Sequence, residues 1–179
     1  MQHQWQSSHS NINIRDGVHR FCTAASLAPV LEAPNLLPGA AGRRPADVFV
    51  PVWSLDRGCA FDVTVVSPFA SPRPAGEYSA AYAASRAAQQ KIALSAVDVA
   101  AASHDFIPLA FECFGAVTPA TVTALRRIAR LTAVRPGLTR SSGQIFAGIR
   151  RRLSFALQRS LGRAIVRRDP SGLVRLDPS

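Results

Sequence analysis

The sequence predicts an α/β domain whose core runs in the order helix, strand, hairpin, helix, strand, helix, with a basic helical extension at its C-terminal end. Three observations predict it: two β-branched apolar runs separated by a turn, an alanine-rich segment without proline or glycine, and a third apolar run followed by two helical periods. A chain of 179 residues with 47% hydrophobic content can bury one sizeable core. We expect a disordered leader over 1–16, the core over 17–132 and the arginine-rich extension over 133–179.

The first part of the chain changes from polar to apolar. Residues 1–16 are rich in Gln, Ser, Asn and His and show no apolar period, which predicts the disordered leader. Residues 17–26 place apolar side chains at helical spacing, and residues 27–33 are typical of a short strand. A Pro/Gly-rich loop follows them.

Two strand-like runs come next, DVFVPVW over 47–53 and CAFDVTVVS over 59–67, and the turn-prone SLDRG separates them. They should pair as a hairpin. Because side chains alternate across a sheet, Phe61 should face away from Asp62, and Asp62 should share its face with Thr64.

An alanine-rich helix is predicted from Glu77 to about Ala102, with Lys91 near its middle. The run DFIPLAFECFG over 105–115 then predicts a third buried core strand, and Pro108 places it at an edge or a bulge.

Two further helices are predicted over 119–133 and about 142–168. Thr118 is a natural N-cap and Pro119 suits the first helical position. The second helix repeats an apolar residue every four positions, so its stripe spirals round the helix. Such a helix should wrap a core or bend at Gly148 or Gly162.

The net charge of +10 is unevenly distributed. Residues 1–119 carry 8 basic and 9 acidic side chains, whereas residues 120–179 carry 13 arginines and 2 aspartates. Such a field favours a polyanion such as nucleic acid, or an anionic membrane surface; a solvated arginine-rich face is the alternative. We expect nucleic acid, most simply double-stranded DNA, to be the partner. The candidate contacts are Arg126, Arg127, Arg130, Arg150 and Arg151 on the two helices, and Arg43 and Arg44, whose other interpretation is a solvated loop.

The three cysteines are widely separated and form no CxxC arrangement, so neither a disulfide framework nor a zinc site is encoded. The sequence contains no apolar run of about 18 residues that would suit a membrane span. We expect a soluble, intracellular protein without a membrane partner; the oligomeric state is left open.

Asp47, Asp62 and Lys91 are the candidate catalytic residues. A divalent cation promotes cleavage of a phosphodiester because it neutralises the scissile phosphate and lowers the pKa of an attacking water, and carboxylate oxygens are the ligands that Mg²⁺ prefers. Two aspartates on paired strands can supply them, and a nearby lysine can stabilise the developing negative charge. The competing interpretation is that both aspartates are ordinary turn or surface residues and that the only lysine of the chain was retained by chance.

The segments RRPADVFVP (43–51) and FDVTVVSP (61–68) carry a family resemblance. This part of the chain resembles the PD-(D/E)xK restriction-endonuclease-like domain, in the version at the carboxyl end of reverse-transcriptase polyproteins of site-specific non-LTR retroelements. The resemblance covers roughly residues 17–132. It implies a mixed sheet, Mg²⁺ or Mn²⁺ held by Asp47 and Asp62, Lys91 as the lysine that has moved onto the following helix, and cleavage of DNA.

The sequence departs from that family in three ways. The first motif has Ala46 inserted between its proline and Asp47, the interval from Asp62 to Lys91 is 29 residues, and the upstream reverse transcriptase and zinc knuckle are missing. A detached fragment or a decayed copy of a retroelement endonuclease would account for this, and the retroelement interpretation implies a nuclear location.

Several alternatives stay open at this point. Glu112, at the end of the third core strand, is either a third acid near the metal or a structural residue at a strand end. The whole chain is either a nuclease or a non-catalytic nucleic-acid-binding remnant. A third interpretation is a helical protein-interaction module over 119–168, in which the apolar stripe would be an interface.

Overall fold

The computed structural model describes residues 3–34, 36–37, 46–69 and 79–168, and within these ranges the chain forms a mixed sheet with helices on both faces. The elements in chain order are α1 (His3–Ala24), β1 (Val30–Leu31), β2 (Val48–Ser54), β3 (Arg57–Val66), α2 (Tyr82–Ala101), β4 (His104–Glu112), α3 (Pro119–Ala133) and α4 (Ser142–Arg168). The predicted α/β class and the order of the core elements are confirmed. The finer restriction-endonuclease-like arrangement stays a prediction.

The four strands lie in the order β1-β2-β3-β4. The β1-β2 and β2-β3 pairs are antiparallel, and β4 is parallel to β3, with Asp62 opposite Pro108. The predicted hairpin is β2-β3, and its turn includes Asp56 at a φ of 58°. Pro108 lies on an edge strand of the described sheet, as predicted, because proline has no N–H to donate to a further neighbour.

The two faces of the sheet are covered by different helices. Phe61, Val63 and Val65 of β3 pack into the main core with side chains of α1, α3 and α4. On the other face, Ala60 and Ala110 pack against α2, whose small alanines let the helix lie close to the strands. The predicted alternation of β3 is therefore confirmed, and α2 is the helix that covers the Asp62 face.

The expectation of a disordered leader is wrong for most of its length, because α1 begins at His3. Ile14 is fully buried in the main core, and the Asn11 side-chain oxygen accepts a hydrogen bond of 2.7 Å from the Val65 backbone N–H. The sequence pattern predicted that the helix begins at Gly17, yet α1 continues through this residue. A Cβ at Gly17 would lie 3.2 Å from a Leu153 methyl group, so glycine there allows α4 to pack close to α1.

Helices α3 and α4 belong to the main core. The Thr118 hydroxyl accepts a hydrogen bond of 3.3 Å from the Thr121 N–H, which is the predicted N-cap. Ile149, Leu153 and Leu157 of α4 are buried in the same cluster as the sheet. The predicted boundary at residue 132 therefore does not separate this helix from the core. These three residues of the stripe are buried within the chain, which removes the main support for a protein-interaction module.

None of the described helices is long and apolar enough to span a lipid bilayer.

Candidate metal and phosphodiester site

Asp47 is fixed by the strand that it faces. Its backbone N–H donates to the Phe61 carbonyl at 2.9 Å, and its carboxylate oxygen Oδ2 accepts from the Val63 N–H at 2.7 Å. The residue stands just before β2, where its side chain takes the place of a backbone carbonyl as the partner of Val63. This geometry holds the carboxylate beside Asp62, which lies between Phe61 and Val63 in β3.

Lys91 joins Asp62 from the helix above. Its Nζ lies 2.9 Å from Oδ2 and 3.2 Å from Oδ1 of Asp62, so both carboxylate oxygens interact with one ammonium. The Asp62 side chain is only 11% exposed, whereas the Lys91 side chain is 38% exposed. The ammonium therefore bridges a buried carboxylate and the surface. The three residues singled out in the sequence, from β3, α2 and the start of β2, lie together on one face of the sheet.

The environment of Asp47 raises the pKa of its carboxyl group from 3.8 to about 6. Burial is the main cause, because it disfavours the charged form. The Val63 N–H, which bonds the carboxylate, acts in the opposite direction. The negative charge of Asp62 and the hydrogen bond between the two side chains raise the pKa of Asp47, and the positive charge of Lys91 lowers that pKa. The Asp47 and Asp62 carboxyl groups thus lie within hydrogen-bonding reach of each other, and Asp47 is largely protonated at mildly acidic pH.

A divalent cation fits this donor set. Asp47 and Asp62 are hard oxygen donors whose mutual repulsion a cation would relieve, and Mg²⁺ is commonly held by one or two carboxylates together with waters and substrate phosphate. Within the described ranges, no group of three or more His, Cys, Asp or Glu side chains gathers in one place. A cation here would thus have these two carboxylates as its acidic side-chain ligands from that part of the chain.

Glu112 has a structural role. Its Oε1 accepts a hydrogen bond of 3.0 Å from the N–H of Ala83 in the first turn of α2, whose N-cap residue Ala81 provides no side-chain acceptor. A carboxylate is favourable there because the N-terminal end of a helix carries partial positive charge. Glu112 pairs with Val66 in the β3-β4 register, four residues beyond Asp62, which places the two Cα positions about 13 Å apart along the strands. Of the two alternatives, the structure supports the strand-end role.

Glu32 contacts the site through its backbone. Its N–H donates to the Asp47 carbonyl at 3.0 Å, which ties the turn after β1 to the start of β2. Its Oε1 accepts a hydrogen bond from Arg15 of α1. Helix α1, expected to begin after the leader, therefore also supports the position of Asp47.

The candidate nucleic-acid contacts lie elsewhere. Arg43 and Arg44 are outside the described residues. Helices α3 and α4, which carry the other five arginines, cover the opposite face of the sheet from Asp62. The sheet therefore lies between these arginines and the carboxylates. The apolar faces of α3 and α4 pack toward α1 and the main core.

Three of those five arginines contact aromatic rings. The Arg127 guanidinium lies 4.7 Å from the Trp53 ring centroid and donates a hydrogen bond to the Trp53 carbonyl. Arg126 and Arg150 lie 5.3 Å and 6.0 Å from the centroid of Phe146. Arg127 in particular joins α3 to the end of β2. This role depends on tertiary packing and has no signal in the local sequence.

No family model, curated protein or solved structure matches this chain.

Proposed function

We propose that this protein is a metal-dependent endonuclease that hydrolyses DNA phosphodiesters, with Asp47 and Asp62 as the metal ligands and Lys91 as the catalytic cation. The observation that carries the proposal is the convergence of these three side chains, from separate elements, on the α2 face of the sheet. The strand motifs around Asp47 and Asp62 support the same chemistry through their resemblance to retroelement endonucleases, and a retroelement origin is part of the proposal.

The division of labour follows from charge and exposure. A bound Mg²⁺ or Mn²⁺ would neutralise the scissile phosphate and lower the pKa of an attacking water. Asp47 and Asp62 would hold this metal ion, and the Val63 N–H keeps the Asp47 carboxylate in place. Lys91 orients Asp62 and, being partly exposed, can also donate to a phosphate oxygen, where a fixed cation stabilises developing negative charge.

Nicking of supercoiled plasmid tests the proposal. Wild-type protein with Mg²⁺ or Mn²⁺ should nick the plasmid, EDTA should abolish nicking, and Asp62→Ala should lower the rate by at least about 100-fold, the scale expected when a main electrostatic contributor is removed. Asp56→Asn is the matched control, because Asp56 is an exposed turn residue whose φ of 58° suits asparagine equally well. It should nick at the wild-type rate.

Two results would overturn the proposal. One is intact plasmid with either metal across a range of salt concentrations, in protein shown by thermal melting to be folded. The other is nicking that Asp62→Ala and Asp56→Asn leave equally unchanged, which would point to a contaminating nuclease. Binding of DNA without cleavage in the first case would favour a non-catalytic nucleic-acid-binding protein.

A further inference from the structure

The C-terminal third of the described chain carries many positive charges and no acidic side chain. Residues 113–168 contain 12 arginines and no lysine, aspartate or glutamate. A solvated surface usually mixes both signs of charge, and a large field of one sign favours a polyanion. The location of these arginines on α4 therefore decides what the surface can bind.

The orientation of α4 is fixed by its buried side. Ile149, Leu153 and Leu157 face the core, and Ser160 accepts a hydrogen bond of 3.0 Å from the Asn13 side chain of α1. With about 100° of rotation per residue, the opposite side of the helix is then determined. The residues on that outward side are Arg151, Arg152, Phe155, Arg159 and Arg163, all exposed.

These five residues occupy an arc of about 120° and a length of about 18 Å along α4, at 1.5 Å per residue. None of the four arginines makes a salt bridge with any residue in the described ranges, in contrast to Arg57, which pairs with Asp105 at 3.1 Å. Arg126, Arg127 and Arg150, by comparison, lie against aromatic rings. The outward arginines of α4 are thus available to a ligand.

We propose that Arg151, Arg152, Arg159 and Arg163 form a binding surface for the phosphate backbone of a nucleic acid, separate from the Asp47–Asp62 site and behind the sheet from it. A length of about 18 Å spans about five base-pair steps of a duplex, since phosphates repeat every 3.4 Å per strand. The proposal does not depend on catalysis. It implies that the protein holds nucleic acid on a face other than the one that carries the candidate metal site.

An anionic membrane is the competing polyanion, and the structure favours nucleic acid. A helix that lies in a membrane interface inserts a broad apolar face among the lipid chains. The apolar face of α4 is already buried against α1, α3 and the sheet. On the outward arc Phe155 is the one large apolar side chain. The exposed side of α4 could therefore attract an anionic surface but has no apolar face to insert into a bilayer.

Binding of a fluorescent duplex by the full-length protein, in EDTA and over a range of salt concentrations, tests the proposal. Each phosphate contact contributes about 0.9 to the slope of log affinity against log salt and about an eightfold change in affinity near 0.1 M salt. Arg152→Gln/Arg159→Gln should therefore lower the slope by about 2 and the affinity by at least 30-fold. The matched control is Arg20→Gln/Arg86→Gln, which removes the same charge from exposed sites on α1 and α2.

The control pair should lower affinity less than about 3-fold, since its arginines contribute only through the general field. Asp62→Asn should bind the duplex at least as tightly as wild type, whether or not the protein cleaves DNA. Equal losses in the two arginine pairs would overturn the proposal, as would no loss in Arg152→Gln/Arg159→Gln. The proposal would also be overturned if Arg152→Gln/Arg159→Gln weakened binding to phosphatidylserine vesicles and left binding to the duplex unchanged.

Discussion

Replacing Asp47 by asparagine should make the protein more stable at neutral pH in the absence of metal. The carboxyl group titrates at 3.8 when unfolded and at about 6 when folded. A group whose pKa is raised on folding binds its proton more tightly in the folded state. Its favourable contribution to the free energy of unfolding is therefore complete below pH 3.8 and is lost as the pH rises through about 6. Above that pH, the charged Asp47 costs stability.

The size of this cost follows from the shift. About 2 pH units at about 1.4 kcal/mol per unit gives about 3 kcal/mol, and partial contact with solvent reduces the expected value to about 2 kcal/mol. Asparagine does not titrate in this range. Its carbonyl oxygen can still accept from the Val63 N–H, and its amide can donate to Asp62, so the contacts of protonated Asp47 are kept.

Urea unfolding of wild type, Asp47→Asn and Asp56→Asn in EDTA measures the effect. Asp47→Asn should exceed wild type by about 2 kcal/mol near pH 8, and its advantage should fall below about 1 kcal/mol near pH 4.5. Asp56→Asn should stay within about 0.5 kcal/mol of wild type throughout, as expected of a surface residue. Parallel stability curves for wild type and Asp47→Asn between those pH values would refute the reasoning.

Three further predictions follow from single contacts. Glu112→Ala should destabilise the protein by about 1.5–3 kcal/mol in urea unfolding because the Ala83 N–H loses a charged acceptor, and Glu112→Gln should cost clearly less; equal losses would contradict the capping role. Ile14→Ala should cost about 2–5 kcal/mol, and Ile12→Ala, at a site 44% exposed, under about 1 kcal/mol; similar losses would mean that the buried face of α1 is assigned incorrectly. Lys91→Met should raise the pKa of Asp47 in an NMR titration, because the ammonium lowers it, whereas Lys91→Arg should leave that pKa nearly unchanged; an unmoved pKa in Lys91→Met would exclude the electrostatic contact.

The sequence predicted the face on which Asp62 lies because strand alternation is a local rule, and the apolar partners Phe61 and Val63 fix its phase. Lys91 was harder to place. Its helix was predictable from composition, but a helix alone does not show which face of a sheet it covers. The parallel pairing of β4 with β3 brings α2 across the Asp62 face, and that pairing is a long-range choice.

The parts that the sequence did not show depend on contacts between distant segments. Ile14 continues the helical period of Val18, but the polar neighbours and Gly17 concealed that period in the sequence. Packing against α4 and the sheet makes the early turns of α1 part of the core. Glu112 caps a helix whose first turn lies 29 residues earlier in the chain. Arg127 was predicted to be a nucleic-acid contact from its charge, whereas its position depends on Trp53, 74 residues earlier in the chain.

Cation binding at the Asp47–Asp62 pair tests the central claim most directly. Free Mn²⁺, followed by electron paramagnetic resonance during titration with protein near neutral pH, reports binding without any nucleic acid present. Wild type and Asp56→Asn should each bind one ion with similar affinity, and Asp62→Asn should bind at least about 10-fold more weakly, because carboxylates are the preferred ligands of such hard cations. Equal affinity in Asp62→Asn and wild type, or no binding by wild type at millimolar Mn²⁺, would contradict the claim that these carboxylates form a metal site.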